Sequence, residues 1–266
     1  MNTKPIGVFD SGLGGLTAVK ELVKLLPGED IIYFGDTGRV PYGTRSKETI
    51  IKYTKQDIAF LKSFSPKAII CACGTASSVA LPEIEKSEIP VIGVVEPTAK
   101  KAVESTKNKK IGILGTSGTI KSKSYEKAIK ELMPDAKIFS SPCTLFVPLV
   151  ENGYLEHEAT YLIAKEYLKE VKDANVDTLI LGCTHYPLLY NVIKDIMGEE
   201  VTLIDAGKEA ALYAKEHLLK QNLLSENQNG EIKFFTSDSG EDFIKTAELF
   251  LNSKVDKIEK VLIENF

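Results

Sequence analysis

Eight apolar runs of strand length recur along the chain with helix-length segments between them: KPIGVFD, DIIYFGD, KAIICAC, PVIGVV, KIGILG, KIFSSP, DTLILGC and VTLIDA. They are nearly continuous in apolar character rather than strictly alternating, which is what a parallel sheet requires when helices cover both faces. After the first run, Leu16, Val19, Leu22, Val23 and Leu26 share one face at helical spacing, and Pro27-Gly28 ends that helix. A second helix is predicted from Ser46, whose hydroxyl can cap it, through Ile51, Ile58 and Leu61 to Ser65-Pro66. A third starts near Glu156 and runs towards Val171. The polar stretch SENQNG predicts a surface loop before a strand at EIKFFTSD, a helix and a last strand around KIEKVLI. Strand and helix in alternation predict an α/β fold with a doubly wound parallel sheet.

At 266 residues the chain has room for one large domain or two modest ones. An internal similarity favours two. KPIGVFDSGLGGLTAVKEL resembles KKIGILGTSGTIKSKSYEKAI as strand, small-residue loop and helix. AIICACGTASS resembles LILGCTHYPLL as strand, Cys with a Thr close behind, and helix. Gly7 precedes Cys73 by 66 positions and Gly112 precedes Cys183 by 71, so the two matches keep order and spacing. The expectation is two pseudo-symmetric α/β domains with a site in the cleft between them. The first comprises 1–95 plus 206–266 and carries Asp10 and Cys73; the second, inserted within it, comprises 96–205 and carries Glu151, Cys183 and His185.

The net charge of -4 argues against general attraction to nucleic acid or anionic membranes. The start, MNTKPIGVFDSGLGG, lacks the pattern of a secretory signal, and no run is long enough to span a bilayer, so a cytoplasmic location is the default expectation. Four scattered cysteines, Cys71, Cys73, Cys143 and Cys183, are too few for a disulfide framework, which leaves reduced thiols.

Ligands of open α/β sheets bind beyond the carboxyl ends of the strands. Cys73 and Cys183 both stand there, each followed by a turn into a helix whose amino terminus would favour a thiolate. Thr75 and Thr184, with neighbouring backbone N–H groups, can bind a carboxylate. A free cysteine taken alone is usually a small packing residue, but repetition in both halves argues against that here. Cys71 is expected inside its strand and Cys143 to be structural. Cys71-x-Cys73 with Cys183-x-His185 offers four soft metal ligands, yet zinc pairs are normally spaced more widely and lie in loops, so no metal is expected.

Gly12 and Gly14 begin a dinucleotide-binding pattern, but the third glycine is replaced by Thr17. Asp10, followed by Ser11 and these glycines, suits a carboxylate acting on a substrate that the backbone approaches closely; a helix cap with turn glycines is the plainer alternative. Asp36, Thr116, Ser117 and Asp205 lie at comparable strand ends. Glu151 follows an apolar run and is either a carboxylate beside the cleft or a solvated loop residue. Among three histidines, His185 alone neighbours a candidate thiol, which suits proton transfer; His157 and His217 fall in helical surface sequence.

Taken together, VFDSGLGG at 8–15, YFGD at 33–36, PYG at 41–43, CGTAS at 73–77 and GCTHYP at 182–187 resemble the bacterial glutamate racemases over essentially the whole chain. The resemblance implies a cofactor-independent enzyme interconverting L- and D-glutamate, which supplies D-glutamate for peptidoglycan synthesis, with no metal and as a homodimer. It also implies that Cys73 serves D-glutamate and Cys183 L-glutamate. Asp10 would act beside Cys73 with Asp36 assisting, and His185 beside Cys183 with Glu151 in support. Ser11, Tyr42, Gly43, Thr75 and Thr184 match substrate-contact positions, with Gly74 and His185 lining the same cleft. One departure stands out: the family usually has Asn where this chain has Gly74, so a side-chain amide contact is missing while the backbone N–H remains. Two thiols suit the reaction, since one can remove the weakly acidic α-proton while the other protonates the opposite face. A reference cysteine pKa of about 8.5 means that neighbours must set which sulfur is deprotonated. The other readings are a racemase for aspartate or another amino acid, and a non-catalytic amino-acid sensor with this fold.

Overall fold

In the computed structural model, which describes residues 3–85, 88–238 and 243–266, the apolar runs pair into two sheets whose strands are all parallel. The first sheet contains β1 (Ile6–Asp10), β2 (Ile31–Gly35), β3 (Ala68–Cys71) and β4 (Val91–Gly93); the second contains β5 (Lys110–Gly115), β6 (Lys137–Pro142), β7 (Thr178–Leu181) and β8 (Thr202–Asp205). The chain then returns to the first sheet with β9 (Ile232–Thr236) and β10 (Ile258–Lys260). The orders are β10-β9-β2-β1-β3-β4 and β6-β5-β7-β8. Thus β2-β1-β3-β4 and β6-β5-β7-β8 are one pattern used twice, as the internal similarity suggested.

The helices are α1 (Leu16–Leu25), α2 (Lys47–Lys62), α3 (Gly74–Val79), α4 (Val95–Ser105), α5 (Ser117–Ser122), α6 (Ser124–Leu132), α7 (Phe146–Glu151), α8 (Glu158–Asp173), α9 (Tyr190–Met197), α10 (Ala206–Lys220) and α11 (Phe243–Leu251). Ser46 caps α2 as expected, its hydroxyl accepting from Thr49 N at 3.3 Å. In α1, Leu16, Val19 and Leu22 are buried, while Val23 turns outward at 36% exposure. Two predicted strands are shorter than their apolar runs. Val95 already belongs to α4, and Ile263 lies in a short 3-10 turn after β10.

Both faces of each sheet are covered. Val8, Tyr33 and Ile70 pack with α1 and α10, whereas Phe9, Phe34 and Ile69 on the opposite face pack with α2. In the second sheet Leu114, Leu179 and Leu181 meet α7, α8 and α9, and Ile111, Ile113 and Ile180 meet α4 and α6. Side chains alternate between faces along a strand, so a strand apolar at every position is the one suited to such a layer. Each such aliphatic side chain contributes about 1.5–3 kcal/mol on full burial. The architecture is therefore two parallel-sheet α/β domains. Among the described residues no helix is long and apolar enough to cross a membrane.

Candidate active site

Two domains of the same plan bring their strand ends together, and the contacts between the turns define the site. Thr75, after β3, lies with its Oγ1 2.8 Å from Oγ1 of Thr116, after β5. Thr17 Oγ1 lies 2.8 Å from the Gly14 carbonyl oxygen and 3.1 Å from that of Thr184, beyond β7. Thr184 Oγ1 is in turn 3.5 Å from Asp10 Oδ1. A Cβ built on Gly74 would overlap the Gly182 carbonyl oxygen, so the two cysteine-bearing turns touch backbone to backbone. A side chain at position 74 would push these two turns apart from their present contact.

Asp10 ends β1 with its carboxylate turned back onto its own loop, where Gly12 N donates to Oδ2 at 3.1 Å. Tyr33 OH holds that loop by donating to the Gly12 carbonyl at 2.7 Å. Burial raises the Asp10 pKa, while the charge of His185 and backbone donors oppose the shift. Cys73 caps α3, its sulfur accepting from Ala76 N at 3.4 Å and lying 3.4 Å from Ser11 Oγ. The expected thiolate is not favoured here. Burial and then the Asp10 charge push the Cys73 thiol up to about 12, against the help of Ser11 and Ala76 N. The reason is one of magnitude: the helix end is only a six-residue helix, whereas desolvation acts on the whole charge.

Cys183 meets different neighbours. The chain beyond it makes a 3-10 turn, Tyr186–Leu189, containing Pro187, and α9 starts only at Tyr190. The following α-helix thus does not start at this cysteine as α3 does at Cys73; His185 stands beside the sulfur instead, with Nδ1 3.8 Å from Sγ. Nε2 of His185 lies 3.0 Å from Oε1 of Glu151, at the end of α7. Burial disfavours the imidazolium, yet the hydrogen bonds to Cys183 and Glu151 and the charges of Cys183 and Asp10 outweigh it and push His185 up to about 10. The Phe250 ring packs against the imidazole in a T-shaped pair, centroids 5.1 Å apart. Glu151 keeps 40% of its side chain exposed while making the His185 contact, so both sequence-level alternatives describe part of its surroundings.

The remaining candidates separate into those at this junction and those elsewhere. Asp36 is buried, and its Oδ2 accepts from Arg39 Nε at 2.7 Å and from the Tyr42 hydroxyl. Tyr42 is buried with its hydroxyl directed at Asp36 and Asp57, and Gly43 abuts Thr116 of the other domain. Asp205 caps α10 by accepting from Gly207 N at 2.8 Å. Cys71 and Cys143 are buried, and His157 caps α8. Among the described residues no group of three or more His, Cys, Asp or Glu side chains is gathered to hold a metal ion. Sequence reasoning missed Asp57 and Arg39 and used Thr17 only as a mismatch. Asp57 left a readable signal: it shares the buried face of α2 with Ile50, Thr54, Ile58 and Leu61, where a lone carboxylate needs partners.

Each of the two like domains thus places one buried thiol, Cys73 or Cys183, just beyond the carboxyl end of an interior strand at their junction. The chain belongs to the Asp/Glu/Hydantoin racemase family, whose model matches residues 6–214. It is 46% identical over 268 residues to a glutamate racemase of Thermoanaerobacter pseudethanolicus, covering 100% of each chain. The crystal structure of the Francisella tularensis glutamate racemase in complex with D-glutamate is similar at TM-score 0.94 and 39% identity, covering 100% of both. A Picrophilus torridus aspartate racemase shares the fold at TM-score 0.57 and 18% identity, covering 80% of this chain and 94% of that one.

Proposed function

We propose that this chain is an isomerase that interconverts L- and D-glutamate by a two-thiol acid/base mechanism and supplies D-glutamate for peptidoglycan synthesis. The observation that carries the reading is the pair of thiols beyond the carboxyl ends of β3 and β7, each with its own ionisable neighbour: Asp10 near Cys73 and His185 beside Cys183. With L-glutamate, the Cys183 thiolate, paired with the imidazolium of His185, removes the α-proton, and the Cys73 thiol protonates the opposite face. The high affinity of Cys73 for its proton suits that resting state. With D-glutamate the roles exchange: the Cys73 proton first passes to Asp10, supported by Asp36, and the His185 imidazolium gives its proton to Cys183, which then protonates the opposite face. Glu151 keeps His185 oriented and charged. Ser11, Tyr42, Gly43, Gly74, Thr75, Thr184 and His185 bind substrate, and their donors stabilise the carbanion-like transition state in a water-poor site.

Cys73 is 4% exposed and Cys183 8%, so glutamate enters when the facing edges part. Domain boundaries at 1–95 plus 206–266 and 96–205 are the division proposed for that motion; in their favour, α4 starts at Val95 and packs on the second sheet, and α10 starts at Ala206 and packs on α1, although α4 and α10 also touch. The family resemblance adds a homodimer in the cytoplasm, which sedimentation equilibrium and cell fractionation test. The catalytic reading is tested by following deuterium incorporation at the α-carbon of each glutamate enantiomer in heavy water with no cofactor added. Exchange of both enantiomers is expected. Binding without exchange points to a sensor, and faster exchange of aspartate to a different substrate.

A further inference from the structure

The Tyr42–Gly43 segment is held from behind by a buried cluster whose side-chain hydrogen bonds end on neither thiol. Arg39 donates from Nε to Asp36 Oδ2 at 2.7 Å and from Nη2 to Asp57 Oδ1 at 3.0 Å, while Nη1 reaches Gln56 Oε1 at 2.6 Å. Its guanidinium lies 4.1 Å from the centroid of the Tyr53 ring. Tyr42 OH contacts Asp57 Oδ2 at 2.9 Å and also Asp36. Gln56, Asp57 and Tyr53 come from α2, whereas Asp36, Arg39 and Tyr42 come from the loop after β2, so the cluster straps loop to helix. One residue on, Gly43 has no room for a side chain: a Cβ there would stand 2.9 Å from Thr116 Cβ. Thr116 is the partner of Thr75. Fixing Tyr42 therefore fixes the Gly43 backbone against the other domain, beside a substrate-binding threonine. Two buried carboxylates crowd one guanidinium, and burial together with the Asp36 charge raises the Asp57 pKa well above the usual carboxylate range, so the strap depends on keeping its hydrogen bonds paired.

We propose that Asp57, through Arg39 and the Tyr42 hydroxyl, is a positioning residue for substrate binding that sets the place of the Tyr42–Gly43 backbone at the edge of the cleft. This rests on the reading of Tyr42 and Gly43 as substrate contacts. The hydrogen bonds of Asp57 end on Arg39 and Tyr42 rather than on either thiol, and Asp36 keeps its own bonds to both when Asp57 is changed, so the loss acts on glutamate binding more than on proton transfer.

The test uses the full-length protein as wild type, Asp57→Asn, Tyr42→Phe and the double variant. Asn matches Asp in size, but only one of its two terminal atoms accepts a hydrogen bond. The expected result is a rise of about tenfold in KM for both glutamate enantiomers in each single variant, the scale of one lost hydrogen bond, with kcat within about twofold. The double variant is expected to be no worse than the poorer single one, because both changes remove the same contact. Hydrogen-exchange mass spectrometry of the 40–46 segment should show faster exchange in Asp57→Asn. A lower Tm with unchanged KM and unchanged exchange at 40–46 overturns the proposal, as does a fall in kcat at constant KM. If Asp57→Asn does not fold, Arg39→Lys, which keeps the charge but loses the fork, must show the same KM increase and the same local exchange. Failure of the wild type to exchange the α-proton of glutamate defeats the racemase reading, while exchange at 40–46 still decides the positioning role.

Discussion

The two domains use the same strand order to deliver a thiol, yet they handle the proton differently. On the first side, Cys73 has a helix amino terminus, a serine and a buried carboxylate, and the balance strongly holds its proton. On the second side, Cys183 has an imidazole that itself remains charged up to about pH 10 because Glu151 and Cys183 hold it. Duplication of a fold therefore reproduces position but not electrostatics. Position follows from strand order; charge follows from the few side chains within reach, and those differ. In the proposed mechanism, chemically mirrored substrates therefore meet unlike acid/base partners.

The strongest attack on the comparison removes the sulfurs. Cys73→Ala and Cys183→Ala are each expected to lower racemisation by about 10⁴-fold or more in both directions, since every turnover needs one thiol as acid and the other as base. Substantial turnover by either variant, measured by circular dichroism, defeats the two-thiol scheme. Next come Asp10→Asn and His185→Gln, each expected to reduce kcat/KM by about 10²–10³-fold. Because racemisation has an equilibrium constant of one, kcat/KM must fall equally in the two directions, so the sides are distinguished by isotope effects. Asp10→Asn should enlarge the primary isotope effect on D-glutamate and His185→Gln that on L-glutamate; the reverse pattern would exchange the assignments.

A smaller change sharpens the second side alone. Glu151→Gln should reduce activity by about tenfold and lower the midpoint at which the His185 ring titrates by NMR, which in the wild type is expected near 10. The sign for stability follows from a folded-state pKa above the ordinary 6.5. The His185 pairing contributes fully below about 6.5, and its contribution is lost as pH rises through about 10. Chemical denaturation of wild type and Glu151→Gln should therefore differ most at acidic to neutral pH and converge in alkali; a constant gap contradicts the pairing. The mildest expected effect is that of Thr17→Val, which breaks the contacts to Gly14 and Thr184. A loss of about 1–2 kcal/mol in stability is expected, read as a lower Tm. An unchanged Tm would remove Thr17 as a link between the domains.

Much of the framework was legible because its causes are local. Strand runs, the Ser46 cap and the paired strand-end cysteines are properties of neighbouring residues, and each is found where periodicity predicted it. The misjudged features depend on residues far apart. The thiolate expected at Cys73 was inferred from its helix end, but burial and Asp10, 63 positions earlier, dominate. Asp205 resembled a site residue by its place after a strand and is instead occupied in capping α10. Asp57 passed as one polar residue in an amphipathic helix, although Arg39 and Tyr42 meet it from the preceding loop.

The sequence by itself determined that this chain builds two parallel-sheet domains of one plan and ends a strand of each near a cysteine, because periodicity and turn chemistry act over a few residues. Only the tertiary structure decided that Gly74 and Gly182 touch, that Asp10 reaches Thr184 across the junction, and that one thiol is held protonated while the other faces an imidazolium. Desolvation and Coulomb interaction depend on depth and distance in space, quantities that sequence separation does not contain.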